Sequence, residues 1–180
     1  MRVLRPPSAI FAALVVVGTS AAWAQQAQVR QGFWIGFGLG WGSLGQSCNG
    51  CRTDRIGAAS GYLKIGGTLG PRVLLGGEIS AWNKSEAGTT TTAGNVSFAA
   101  FYYPQAAGRI FVKGGLGLAM FQEQPADPAM GLGLAFGIGY DVRVGRNVSI
   151  TPVANFTWGR VGDFGSRVDV LQLAVGITFH

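Results

Sequence analysis

Residues 33–41 read Phe33-Trp34-Ile35-Gly36-Phe37-Gly38-Leu39-Gly40-Trp41. One parity carries Phe33, Ile35, Phe37, Leu39 and Trp41; the other, after Trp34, carries only Gly36, Gly38 and Gly40. Side chains alternate sides along a strand, so a period of two with one apolar face reads as a strand. The pattern recurs at 129–140, where Leu132, Leu134, Phe136, Ile138 and Tyr140 alternate with Gly131, Gly133, Ala135, Gly137 and Gly139. Over 110–120, Ile110, Val112, Leu116, Leu118 and Met120 oppose Phe111, Lys113, Gly115, Gly117 and Ala119. The last stretch sets Leu171, Leu173, Val175, Ile177 and Phe179 against Gln172, Ala174, Gly176 and Thr178. Weaker versions occupy 60–69, 73–84, 95–103 and 147–158, which makes eight strands and no segment of helical period.

Composition agrees. Of 180 residues 30 are Gly and 12% are charged, against averages of roughly 7% Gly and about 25% charged in soluble domains. Gly has no three-residue period, so collagen is excluded, and it costs about 1 kcal/mol per helix position, which disfavours helical folds. The mean hydropathy of +0.29 is too apolar for a disordered chain.

The N-terminus reads as an address. Arg2 and Arg5 precede a short apolar run over Ile10 to Val17, and Ala22-Trp23-Ala24 places small residues where a signal peptidase reads. The run is too short to span a bilayer as a helix. A signal peptide over 1–24, cleaved to leave one domain over 25–180, is expected; an uncleaved anchor is the alternative. Losing Arg2 and Arg5 leaves 12 basic residues against 8 acidic, a net +4. These are scattered, with no Lys/Arg run, so nucleic acid is not an expected partner.

Connections alternate in apparent length. Short turns fall near 70–72, 104–108 and 141–146, and longer loops near 42–58, 85–94, 122–128 and 159–166. This predicts an all-β, eight-stranded antiparallel up-and-down transmembrane β-barrel with short turns at one rim and long loops at the other. A soluble barrel with an apolar cavity competes and requires the opposite orientation. Eight strands leave an interior just wide enough to be filled by side chains. The second parity suits that interior: it is mostly small, with Trp34, Tyr62, Trp82 and Phe101, and with Lys64, Glu78, Lys113, Asn155 and Gln172.

Paired residues in a hairpin have a constant sum of numbers. A turn centred on Pro71 sets Lys64 opposite Glu78 on the inward face, with Lys113 on the same face two strands on. An isolated charge there costs several kcal/mol, so a Lys64–Glu78 ion pair is expected, with Lys113 as a third member. It serves as a polar plug or, alternatively, as a proton or ion relay. Trp41, Trp158 and Tyr140 end lipid-facing ladders as interfacial aromatics do, and Tyr102-Tyr103-Pro104 marks the short-turn end of the fourth strand.

With these residues in view, the chain resembles the outer-membrane β-barrel domain family of Gram-negative bacteria, the small eight-stranded OmpA/OmpX-type barrels. The resemblance covers residues 30–180. It rests on the first strand, on Gly76-Gly77-Glu78, on Val112-Lys113-Gly114-Gly115-Leu116-Gly117 and on the C-terminal ladder. It implies export to the outer membrane, the lipid bilayer and lipopolysaccharide as surroundings, and the barrel-insertion machinery as an assembly partner. Phe179 matches the terminal aromatic that resembles the signal read by that machinery, although His180 follows it.

Little of the sequence carries chemistry. Cys48-Asn49-Gly50-Cys51 is the only cysteine pair, and in an exported protein it reads as a loop disulfide across a tight turn. A redox CxxC wants a thioredoxin-like βαβ setting, and a structural zinc wants four ligands. His180 is the only histidine, which removes Ser-His-acid triads and His-based metal sites from the loop rim. Glu123, Asp127, Asp163 and Asp169 lie in or beside loops as solvated charges, with carboxylate catalysis or a weak calcium site as alternatives. The GxGxxG match at Gly40–Gly45 is discarded because no helix follows it. No cofactor, resident metal or catalytic residue is expected. The function expected is a non-enzymatic structural or surface-interaction barrel whose loops meet an extracellular or host ligand. A narrow conduit for small or hydrophobic solutes, and a lipid-modifying enzyme using carboxylates alone, are the alternatives.

Overall fold

Alternating sequence becomes a closed sheet in the computed structural model, which describes residues 30–48, 51–162 and 166–180, and of Cys48, Cys51 and Arg52 the backbone only. The long strands are β1 (Phe33–Cys48), β2 (Ile56–Gly70), β3 (Val73–Glu86), β4 (Thr89–Tyr102), β5 (Ile110–Glu123), β6 (Ala129–Tyr140), β7 (Val148–Val161) and β8 (Ser166–Phe179). Each pairs antiparallel with the next, and β8 returns to β1 from Ile35↔Phe179 to Ser47↔Arg167, so the sheet closes and has no free edge. Two short pieces, Cys51–Arg52 against β1 and Val142–Arg143 against β7, prolong hairpins. This is the expected eight-stranded antiparallel up-and-down barrel. The expected signal peptide over 1–24 lies outside the described residues.

The two parities separate as a lipid-facing barrel requires. Leu39 is 79% exposed, and Phe37, Trp41, Phe98, Leu118 and Leu173 also point outward, whereas Trp34 is 2% exposed and Trp82 1%. A continuous outer face of large apolar side chains is not compatible with water. The competing soluble barrel needs the reverse orientation and is excluded.

Among the described residues the loops at this end are shorter than expected. β1 runs to Cys48 and β4 starts at Thr89, well into segments expected to be loop, while β5 and β7 reach Glu123 and Val161, two and three residues into theirs, and the 124–128 connection remains. Between β3 and β4 the connection is two residues, Ala87 (φ 49°) and Gly88 (φ 83°). Two consecutive left-handed residues make the type I′ turn that suits a twisted hairpin. The cause is chemical. At this end the outward positions are Ser43, Ser47, Asn83, Ser85, Thr90 and Thr92, so hydropathy stops alternating while the backbone ladder continues. Strands of 12–16 residues exceed the roughly 9–11 that a tilted strand needs to span a bilayer. The surplus stands above the apolar belt as a polar crown.

The lumen is packed in two apolar layers. Trp34, Tyr62, Leu74, Phe101, Tyr103, Phe111 and Val153 fill the half nearer the barrel's termini. Leu44, Trp82, Ala93, Ala119, Val161 and Val168 fill the half nearer the crown. Large side chains fit because glycines face them. A Cβ on Gly76 would lie 2.8 Å from Trp34 Cζ2, and one on Gly36 would lie 2.7 Å from Lys64 Cε.

Candidate functional site

Lys64 and Glu78 are cross-strand partners on β2 and β3, and both are buried inside the barrel. The ion pair nevertheless runs to the third residue. Lys113 Nζ donates to Glu78 Oε1 across the lumen, both side chains almost fully enclosed. Among the described residues no ion pair engages Lys64. Its Nζ lies 5.1 Å from the Phe111 ring centre and 5.3 Å from that of Phe101, with Trp34 and Tyr62 within 6.0 Å. The expected Lys64–Glu78 pair is therefore corrected to Lys113–Glu78, with Lys64 in an aromatic box. Register places partners in a ladder, but in so narrow a lumen a long side chain reaches across as easily as sideways. Nearer the crown, Asn155 Nδ2 donates to Gln172 Oε1 at 2.7 Å. A cavity of about 20 Å³ beside Trp82, Asn95 and Gln172 is the size of one water molecule.

A second polar cluster closes the end that carries Arg30 and His180. Arg30 folds under the barrel with its Cζ 3.4 Å from the Tyr103 ring centre. Its guanidinium donates to Ala106 O (3.0 Å) and Gly108 O (2.6 Å) and lies 3.9 Å from Asp141 Oδ2. Asp141 is wholly buried and accepts from Tyr103 Oη and Thr151 Oγ1, each at 2.8 Å. Burial, reinforced by Asp141, pushes the Tyr103 hydroxyl well up, which keeps it a donor. Sequence reasoning missed this lock. Asp141 continues the inward parity of residues 131–139 but sat in a segment expected to be turn; Arg30 precedes any strand pattern, so nothing announced it. Tyr103, expected at the interface with Tyr102, turns inward at 2% exposure, whereas Tyr102 stays outside at 46%.

At the crown, Arg55 ties the first hairpin to β8. It donates to Asp169 Oδ2 (2.6 Å), Ser43 Oγ (3.0 Å) and Ser43 O (2.6 Å). Arg160 and Arg167 are direct cross-strand partners, both exposed. Cys48 and Cys51 are Cα partners at the hairpin tip; the disulfide expected between their side chains lies outside the described residues, as does Asp163. Glu123 and Asp127 are exposed on the β5–β6 hairpin. Among the described residues no group of three or more His, Cys, Asp or Glu is placed to hold a metal. Phe179 is outward at the end of β8, 41% exposed. Trp41 (63%) and Tyr140 (39%) face outward at opposite edges of the apolar belt, and Trp158 is half-buried.

No protein-family model matches the chain, and no curated protein matches it. Solved structures do. Ail, the attachment invasion locus protein of Yersinia pestis, superposes with a TM-score of 0.57 at 16% identity, over 83% of this chain and 99% of that one. Ail in complex with the heparin analogue sucrose octasulfate gives 0.54 at 15% identity, over 82% and 99%. Neisserial surface protein A gives 0.57 at 15% identity, over 84% and 99%. At such identities the likeness speaks for architecture, and the architecture is that of the small eight-stranded β-barrels of bacterial outer membranes.

Proposed function

We propose that the protein is a non-enzymatic barrel of the outer membrane whose polar crown is a contact surface for molecules outside the cell. The observation that carries this is the filled lumen. Trp34, Tyr62, Phe101, Phe111 and the Lys113–Glu78 pair occupy one cross-section, and Trp82 with Leu44 occupies another. Such packing leaves the rigid rim as the place for recognition. The end bearing Arg30 and His180 faces the periplasm in this reading, as the resemblance implies, and Phe179 serves the insertion machinery. Cys48 and Cys51 staple the first hairpin as a disulfide. Lipopolysaccharide surrounds the crown.

Ail was crystallised with a polysulfate. The crown here carries four basic and five acidic side chains among the described residues, so a near-neutral or mixed-charge extracellular ligand fits it better than a polyanion. The test replaces residues 84–91 by Asn-Gly, cutting the β3–β4 hairpin back to the belt. The variant is expected to keep heat-modifiable gel migration and to lose adhesion to host cells or matrix. Unchanged adhesion, or ion conductance by the purified barrel in a planar bilayer, overturns the proposal.

A further inference from the structure

The charge of the barrel is polarised along its axis. The three turns at the end bearing the termini contribute Arg72, Arg109, Arg143 and Arg146. The sole side-chain carboxylate among the described residues at that end is Asp141, which is fully buried and held by Tyr103, Thr151 and Arg30. At the crown, acids slightly outnumber bases. The excess positive side-chain charge of the described residues therefore lies at one end.

Its depth is defined as well. Arg72 lies three residues from Leu69, which is 71% exposed; Arg109 precedes Ile110 (51%); and Arg143 is flanked by Val142 (38%) and Val144 (57%). Arg109 Nη1 donates to the hydroxyl of lipid-facing Tyr140 at 3.4 Å. A guanidinium bonded to an aromatic hydroxyl at the edge of the apolar belt sits where lipid headgroups sit. All four cations are arginines, whose planar forks match phosphate oxygens.

We propose that Arg72, Arg109 and Arg146 of this ring bind the phosphates of anionic phospholipid in the inner leaflet of the outer membrane, with Arg143 held in its own turn beside them. The inference rests on the reading of the chain as an outer-membrane barrel. The ring draws these lipids around the base of the barrel and fixes its depth and direction in the bilayer. The crown, near charge balance, makes no equivalent demand on the opposite leaflet.

The test inserts the full barrel into bilayers of equal parts phosphatidylglycerol and phosphatidylethanolamine and counts lipids co-released with the protein by native mass spectrometry. The wild type is expected to retain phosphatidylglycerol preferentially, with the preference falling as salt rises. Near an anionic surface each basic side chain is worth about fivefold, so Arg72→Gln/Arg109→Gln/Arg146→Gln should cut the preference by at least about tenfold. Arg143 is left in place because it donates to Gly145 O and Arg146 O within its own turn. The matching triple Lys variant, which keeps the charge, should retain most of the preference. Arg160→Gln/Arg167→Gln at the crown should leave it unchanged. No preference in the wild type, or equal losses in the base and crown variants, overturns the inference. A chain that does not insert into the mixed bilayer overturns the membrane reading itself.

Discussion

Glu78 stands opposite Lys64 in the β2–β3 ladder but gives its carboxylate to Lys113, whose strand lies two places further round the barrel. Removing one member of a buried pair strands the other, at a cost of about 3–5 kcal/mol. Lys113→Met should destabilise the barrel by that order in urea unfolding from micelles, and Lys64→Met by less than about half as much. Equal losses would show that both lysines share the carboxylate.

Arg30 and Asp141 lock the base in the same way, with both side chains fully enclosed. Asp141→Asn should cost about 3 kcal/mol and Tyr103→Phe about 1 kcal/mol, the usual net value of one hydrogen bond. The double variant should lose less than the sum, because both changes break one network. Additive losses would separate Tyr103 from Asp141.

Arg160 and Arg167 face each other across β7 and β8 on the outer surface. Like charges directly opposite are unfavourable, and an opposite pair is worth roughly 0.2–1 kcal/mol. Arg167→Glu should therefore raise the midpoint of thermal unfolding, and the gain should fade in about 1 M salt. A drop at low salt would mean that Arg167 has a partner of its own.

Burial holds the His180 imidazole down at about 4, Asp141 opposing the shift and Arg30, Lys64 and Arg143 adding to it. Its folded value lies below the ordinary value of roughly 6.5 in the unfolded chain. Its contribution to stability is thus complete above that ordinary value and is lost as pH falls towards the folded one. Wild type should weaken relative to His180→Gln between about pH 6.5 and pH 4. Parallel stability curves across that window would contradict the burial of the ring.

Where one face was greasy, the fold was legible. The alternation at Phe33–Trp41 gave strand, face and orientation together, and the hairpin arithmetic at Pro71 gave the Lys64↔Glu78 register. Legibility ended with the hydropathy contrast. Thr89–Thr92 and Ser43–Ser47 are strands with polar residues on both sides, so periodicity could not distinguish them from loop. The partner of Glu78 was hidden for another reason: two inward lysines were equally available in one dimension, and only the lumen's width and the aromatic box around Lys64 separate them. Asp141 stands just past the end of β6, where no strand periodicity marks which way a side chain faces.

The connection at Ala87–Gly88 shapes how the protein presents itself. Where it is built of continuous ladders and a two-residue tip, the rim offers other molecules a fixed relief. Antibodies raised against the native barrel would read discontinuous epitopes assembled from neighbouring strands, and boiling the protein would erase them.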